Sequence, residues 1–118
     1  LTHRGESSLV TFVTGHEDPS KSATVDWASL AHHAGTIAIY MARSKMPEIA
    51  RSLLAGGRAG DTPVAFIQWG GTHRQRVHVT TLTESVAGMP PEIGTPMLTI
   101  VGEVVRHRRE ISWMERQP

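Results

Sequence analysis

One stretch, residues 36–57, constrains the fold more than any other, because its apolar period changes partway along. Residues 36–41 are apolar and rich in β-branched and aromatic side chains. Such a run predicts a strand covered on both faces, as in a parallel sheet. Apolar side chains then recur at helical spacing through residues 46–54 and predict an amphipathic helix. The stretch is therefore expected to form a strand, a turn and a helix.

The predicted helix also carries signals at its two ends. Ser44 is expected to act as the N-cap, and Pro47 suits the first turn, where a missing N–H costs nothing. Gly56 and Gly57 are expected to end the helix in the left-handed conformation.

The end of the predicted strand is a candidate ligand-binding edge. In open α/β sheets, ligands lie beyond the carboxyl ends of the strands. Methionine usually fills a core, but Met41 precedes a polar turn, which favours contact with a flat apolar ligand. The residues expected at this edge are Tyr40, Met41, Ala42 and Arg43.

The rest of the chain predicts an α/β fold. Further strands are expected at residues 9–14, 64–69, 75–82 and 97–101. Helical segments are expected at residues 26–33 with Asp26 as N-cap, at 83–89, and at 103–113, where a continued strand is the alternative. The polar alternation in residues 75–82 favours an antiparallel or edge strand. The predicted fold is thus a mixed sheet of about five strands flanked by short helices.

Composition narrows the class of protein. The 118 residues suit one domain. Lys and Arg total 12 against 11 Asp and Glu, a balance that argues against a nucleic-acid or membrane-surface partner. The absence of cysteine excludes disulfides and thiolate metal sites and is typical of a cytoplasmic protein. The chain begins with Leu1 rather than Met, so we expect it to be part of a longer protein.

No self-contained catalytic or metal-binding signature is present. The sequence has no G-x-S-x-G elbow, Walker loop or G-x-G-x-x-G fingerprint. His32 and His33 are adjacent, so on a helix their side chains point about 100° apart and cannot share a metal ion. The residues alone therefore predict a ligand-binding or interaction domain with no metal and no catalytic residue of its own.

Several polar or glycine positions allow two interpretations. Gly70 and Gly71 follow a buried strand and suit either close approach of a ligand to the backbone or a plain turn. His16 follows the first strand and suits either a substrate carboxylate or a loop cap. Arg74 and Arg76 suit either a solvated face or an anionic partner, for which the guanidinium fork is well shaped.

Taken together, six short segments resemble the C-terminal half of the uroporphyrinogen-III C-methyltransferases, within the tetrapyrrole methylase family. The resemblance covers nearly the whole chain, and its specificity comes from the order and spacing of the six. The segments are residues 1–4 (LTHR), 14–16 (TGH), 26–27 (DW), 40–41 (YM), 65–77 and 100–105 (IVGEVV).

The resemblance implies an enzyme of two α/β domains that works as a homodimer with a cleft between the domains. It implies methyl transfer from S-adenosylmethionine to ring carbons of uroporphyrinogen III, giving precorrin-2 for sirohaem and cobalamin. Residues 1–118 would be the C-terminal domain. The glycine-rich cofactor loop and the acid/base residues would lie in an N-terminal domain that this chain lacks, so the isolated chain is expected to be inactive.

The resemblance also assigns site residues. Met41 and Gly70 match positions that contact the cofactor, and Tyr40 and Gly71 stand beside them. A tetrapyrrole substrate carries many carboxylates, which basic residues are expected to meet. The expected substrate-binding residues are His3, Arg4, His16 and Arg43, with Arg74 and Arg76 as further basic positions.

Three departures from the family pattern leave alternatives open. Ala42 and Thr80 stand where the family usually has glycine, and Gly71 is an added glycine before Thr72. The alternatives are a methylase acting on a later corrin intermediate, or a non-catalytic α/β domain for dimerisation or small-molecule binding. A glycine-rich loop upstream of Leu1 would favour a methyltransferase.

Overall fold

The computed structural model describes residues 2–5, 7–15, 25–32, 35–89, 93–94 and 96–107. Within them, the strands are β1 (Val10–Thr14), β2 (Thr36–Tyr40), β3 (Pro63–Gln68), β4 (Arg76–Thr81) and β5 (Met97–Val101). The helices are α1 (Trp27–Leu30), α2 (Met46–Ala55) and α3 (Leu82–Ser85), with 3₁₀ turns at Arg43–Lys45 and Glu103–His107. The predicted strands are all present, with ends that differ by one residue at most.

The strands form one mixed five-stranded sheet, as the sequence predicted, and their order in it is β1-β2-β5-β3-β4. β1 and β2 are parallel, whereas β5 runs antiparallel to both of its neighbours, β2 and β3. β1, β2 and β3 therefore point the same way, and their carboxyl ends meet at one edge beside the amino end of β5. We call this the carboxyl edge, and its first residues beyond the strands are Gly15, Met41, Trp69 and Pro96.

Helix α2 covers one face of the sheet with the apolar stripe that its sequence predicted. Its inward residues are fully or almost fully buried: Met46, Ile49, Ala50 and Leu53. They pack against β2, β3 and β5 through Ile37, Ile39, Val64, Phe66 and Val101. Each large apolar side chain buried here stabilises the fold by about 1.5–3 kcal/mol, so this contact holds the helix to the sheet.

The predicted caps of α2 are half right. Ser44 is not the N-cap, because it lies within the 3₁₀ turn that leads directly into the helix, and Lys45 occupies the cap position without a side-chain hydrogen bond. At the other end Gly57 has a left-handed φ of +104°, as expected, whereas Gly56 does not. The Arg58 N–H donates to the Leu53 carbonyl at 3.0 Å, which completes a Schellman ending.

The shorter helical segments differ from their predicted lengths. α1 ends at Leu30, and Asp26 caps it as predicted. Its carboxylate accepts hydrogen bonds from the Ser29 hydroxyl at 2.7 Å and the Ser29 N–H at 3.1 Å, which lower the pKa of Asp26. The helix predicted at 103–113 is a 3₁₀ turn over Glu103–His107, and the rest of it lies outside the described residues.

The opposite face of the sheet carries a smaller apolar cluster. Ala38, Ala65 and Ile100 are buried there with Val105 of the second 3₁₀ turn. Phe12 remains more than half exposed at its margin. In the described part of the chain, no helix is long and apolar enough to cross a membrane.

The buried hydroxyl of Thr99 supports a stability prediction. Thr99 lies on β5 opposite Ile39 and Phe66, is fully buried, and its Oγ1 has no hydrogen-bond partner among the described residues. In the folded protein this hydroxyl has lost its hydrogen bonds to water without forming one to the protein. Replacing threonine by the similarly shaped valine removes that cost, so Thr99→Val is expected to stabilise the protein by about 1 kcal/mol. The urea unfolding midpoint of the protein at its full natural length measures the change.

Thr36 is the matched control. It is equally buried in the neighbouring strand β2, but its Oγ1 lies 2.8 Å from the Ser7 hydroxyl. Thr36→Val removes this hydrogen bond, although the Ser7 hydroxyl still donates to the Leu9 carbonyl at 3.0 Å, and is expected to lower the midpoint. A fall of similar size in both variants would contradict the assignment at Thr99.

Candidate functional site

Two adjoining cavities lie at the carboxyl edge. They share Tyr40, Pro96 and Met97 and therefore form one continuous depression across the ends of β2, β5 and β3. The first cavity, of about 620 Å³, is lined by Tyr40, Met41, Ala42, Arg43, Ser44, Pro96 and Met97. The second, of about 490 Å³, is lined by Tyr40, Ile67, Trp69, Gly70, Gly71, Thr72, Gln75, Pro96, Met97 and Leu98.

Two residues at this edge have strained backbone conformations. Met41 has a φ of +56° and Trp69 a φ of +55°, although neither is glycine. Each is the first residue after a strand, β2 and β3 respectively. A non-glycine residue in the left-handed region costs about 1–3 kcal/mol, and such residues cluster at ligand-binding sites. The two strained positions thus coincide with the walls of the two cavities.

Met41 is a cavity wall rather than a core residue. Met41 is 61% exposed and Tyr40, the last residue of β2, is 46% exposed, although residues 36–39 of the same strand are buried. The Tyr40 ring also stacks on Phe12 of β1, with ring centroids 6.3 Å apart. Together these side chains present a flat apolar surface of the kind that an aromatic ligand contacts.

The paired glycines leave the backbone of the second cavity accessible. Gly71 has a φ of +81°, which other residues rarely adopt, and a Cβ there would meet no atom within 4 Å. A Cβ at Gly70 would touch only the Ile67 side chain, at 3.0 Å. The described residues make no hydrogen bond to the Gly70 backbone, whereas the Gly71 N–H donates to Gln75 Oε1 at 2.9 Å. A turn and a close approach by a ligand are both compatible with this geometry.

Arg43 lies at the first cavity, as the sequence predicted for a residue of this edge. Its Nε donates to the Ile93 carbonyl at 3.1 Å, which fixes the guanidinium at the rim while leaving other N–H groups available. Its predicted role toward substrate carboxylates stays a prediction.

The structure does not bring His3 and Arg4 to this edge. The bridge between His3 and Ser7 lies beside Thr36, because the Ser7 hydroxyl contacts the Thr36 hydroxyl. Thr36 begins β2 and Tyr40 ends it, so the two positions are about 13 Å apart along the strand. The His3 ring instead stacks on His107 at 4.0 Å. His16, also predicted to bind substrate, lies outside the described residues.

A third cavity, of about 500 Å³, adjoins the second and is basic. It shares Trp69 and Gln75 with the second cavity, and Arg74 stacks over the Trp69 ring at 4.4 Å. Among the described residues that line the three cavities, none is acidic. The third cavity is lined by Gln68, Trp69, His73, Arg74, Gln75 and Arg76.

Sequence reasoning missed Pro96 and Met97, which lie between the first two cavities. Periodicity identified β5 as a buried strand but could not show that it pairs between β2 and β3. Only that pairing brings the amino end of β5 to the carboxyl edge. The described residues contain no group of three or more His, Asp or Glu side chains arranged to hold a metal ion.

Comparison with known proteins identifies the family. An α/β sheet with apolar cavities at the carboxyl ends of its strands is typical of a ligand-binding domain. The sequence model of the tetrapyrrole (corrin/porphyrin) methylase family matches residues 1–86 of the chain. The chain therefore belongs to the tetrapyrrole methylase family, as the sequence resemblance indicated.

Its relatives are longer than the chain. It is 46% identical to the sirohaem synthase of Azotobacter vinelandii, with 98% of the chain and 25% of that protein covered. It is 43% identical to an S-adenosyl-L-methionine-dependent uroporphyrinogen III methyltransferase of Methanosarcina barkeri, of which it covers 46%. A crystal structure of uroporphyrin-III C-methyltransferase from Thermus thermophilus with S-adenosylhomocysteine superposes with a TM-score of 0.77 at 30% identity, over 89% of this chain and 44% of that one. The chain thus spans a quarter to a half of these proteins.

The strained, exposed position of Met41 generates a prediction. Met41→Gly relaxes the positive φ and removes a side chain that is mostly exposed, so the free energy of unfolding is expected to change by less than about 1 kcal/mol. Met46, in the first turn of α2, is fully buried and provides the contrast. Met46→Ala is expected to cost about 2–5 kcal/mol. Urea midpoints of the protein at its full natural length compare the two, and an equal loss would show that Met41 belongs to the core.

Proposed function

We propose that the chain is part of an S-adenosylmethionine-dependent methyltransferase that converts uroporphyrinogen III to precorrin-2, toward sirohaem and cobalamin. In this proposal it contributes one wall of the cleft for the cofactor and the tetrapyrrole. One observation carries it: the predicted cofactor residues Tyr40 and Met41 lie beside Gly70 and Gly71 on adjoining cavities, although the two pairs are far apart in sequence. Two of the relatives described above, from Methanosarcina barkeri and Thermus thermophilus, are named for methyl transfer to this class of tetrapyrrole.

The residues present fit an S-adenosyl group. The exposed side chains of Met41 and Tyr40 provide an apolar surface for the adenosine, and the open Gly70 backbone can hydrogen-bond its polar atoms. The cofactor supplies an electrophilic methyl group on a sulfonium sulfur. The protein's main task in such a reaction is to hold donor and acceptor carbon in line, because proximity and orientation provide much of the rate.

The remaining features of the edge suit a tetrapyrrole. A macrocycle is flat and apolar at its centre and carries carboxylates around its rim. The first cavity combines an apolar floor at Met97 with the guanidinium of Arg43 at its margin. That combination supports substrate binding next to the cofactor, with the arginine facing a carboxylate.

We also propose that the full protein acts as a homodimer in the cytoplasm. The family resemblance supports the dimer, and the lack of cysteine in the sequence supports a reducing compartment. Light scattering at the full natural length tests the oligomeric state, and a monomer at micromolar concentration would contradict it.

The activity is tested with the protein at its full natural length. Anaerobic incubation with methyl-labelled S-adenosylmethionine and uroporphyrinogen III is expected to yield labelled precorrin-2. Met41→Ala is expected to lower the rate about a hundredfold while the protein stays folded, because a small displacement of the donor methyl group has an effect of that size. A labelled product only from a later corrin intermediate would assign a sister activity, and no labelled product from either would reject the proposal.

Cofactor binding is tested separately by calorimetric titration with S-adenosylhomocysteine. Gly70→Val places a branched side chain where the cofactor is proposed to approach the backbone, and it is expected to weaken binding with little loss of folding. Ala59→Val is the control for adding a branched side chain elsewhere, since Ala59 is exposed and lines none of the three cavities. An unchanged affinity in Gly70→Val would contradict the assignment of Gly70.

A further inference from the structure

The third cavity is lined by basic side chains that form no ion pair with any described residue. His73, Arg74 and Arg76 line it, all three are exposed, and none of them makes an ion pair with a described residue. Here the basic groups surround a concave surface that continues into the second cavity through Trp69 and Gln75.

The loop that carries these groups is held in one shape by its own hydrogen bonds. The Thr72 hydroxyl donates to the Trp69 carbonyl at 2.8 Å and accepts from the Arg74 N–H at 3.1 Å. The Gln75 side chain accepts from the Gly71 N–H at 2.9 Å. A loop fixed in this way loses little conformational entropy when a ligand binds, so the site is preorganised.

Arg74 is oriented for recognition of an anion. Its guanidinium lies 4.4 Å from the centroid of the Trp69 ring. Stacking on an aromatic face holds the planar group and leaves its N–H edges available, which is the geometry that binds a carboxylate through two parallel hydrogen bonds. Arg76 begins β4 opposite Gln68, so the rigid sheet positions its backbone.

We propose that this basic cavity is a subsite for a carboxylate of the tetrapyrrole substrate, with Arg74 and Arg76 as the groups that bind it. The inference rests on the proposed function and adds a specificity-determining contact to it. The body of the ligand would occupy the apolar second cavity, and a peripheral carboxylate would enter the basic third cavity beside it.

The basic third cavity suits a carboxylate of the tetrapyrrole better than the carboxylate of the cofactor. The amino-acid tail of S-adenosylmethionine carries an ammonium group next to its carboxylate, and a sulfonium lies close by. Uncompensated guanidinium groups repel those positive charges. A tetrapyrrole rim carries carboxylates without adjacent cations, so it is the ligand that matches an all-basic cavity.

The test compares Arg74→Gln, Arg76→Gln and Arg51→Gln in the protein at its full natural length. Arg51 is an exposed arginine on α2, outside the three cavities, and controls for the loss of one positive charge. Uroporphyrin III, the air-stable oxidised analogue, serves as the probe through its fluorescence, and S-adenosylhomocysteine affinity is measured by calorimetry. Each cavity variant is expected to weaken uroporphyrin binding about tenfold, since a bidentate charged hydrogen bond is lost.

Three further readouts accompany that loss if the inference is right. S-adenosylhomocysteine affinity stays within about twofold of the wild type, Arg51→Gln binds uroporphyrin as the wild type does, and the salt dependence of uroporphyrin binding becomes less steep. Arg76→Lys keeps the charge but not the fork, and is expected to restore only part of the affinity.

Other outcomes overturn the inference. Unchanged uroporphyrin binding in both cavity variants, or an equal loss in Arg51→Gln, would show that the basic cavity is a solvated surface. A loss of S-adenosylhomocysteine affinity alone would assign the carboxylate to the cofactor instead. Failure of the proposed function is recognised separately, because the wild-type protein would then bind no S-adenosylhomocysteine and methylate no tetrapyrrole.

Discussion

The antiparallel pairing of β5 with both β2 and β3 is the constraint on which the site depends. It fills the gap between two strands that run in the same direction, so that both end at one edge. Val101 and Ile100 on β5 are buried, on opposite faces, in the two apolar clusters of the sheet. The same contacts that stabilise the sheet therefore also set the separation of Met41 from Gly70. A shift in β5 register would exchange its two faces and disrupt both clusters.

The stability of this frame allows strain at its rim. Met41 and Trp69 each adopt a left-handed backbone, at a cost of about 1–3 kcal/mol apiece. That cost is comparable to the burial of one or two apolar side chains, and α2 alone buries several, among them Ile49 and Leu53. The strain turns the chain sharply at the end of each strand and leaves the side chain of Met41 exposed instead of returning it to the core. An apolar wall at a strand end thus results from local strain that the packed sheet tolerates.

The part of this architecture that is local in sequence was predictable. The change of period in residues 36–57 identified β2 and α2, and the rule on strand ends identified Tyr40 and Met41 as an edge. Features that depend on long-range strand pairing could not be predicted. The periodicity of the sequence does not show that β5 lies between β2 and β3, so Pro96 and Met97 were missed as residues of the site. The motif order suggested His3 as a substrate residue, but the structure places it at the opposite end of β2 from the cavities. The left-handed conformations of Met41 and Trp69 were equally hidden, because glycine is the residue that signals them.

The balance of charge over the whole chain does not describe the basic third cavity, although the sequence had already singled out Arg74 and Arg76 as possible partners of an anion. A formal net charge of +1 argues against any extended binding surface for polyanions. Charges separated by more than about 8 Å are largely screened at physiological ionic strength, so a ligand senses the groups of one cavity and not the total. The residues 73–76 contain three basic side chains and no acidic one. Local charge next to a preorganised apolar cavity, rather than net charge, is therefore what the proposed substrate carboxylate would meet at this edge.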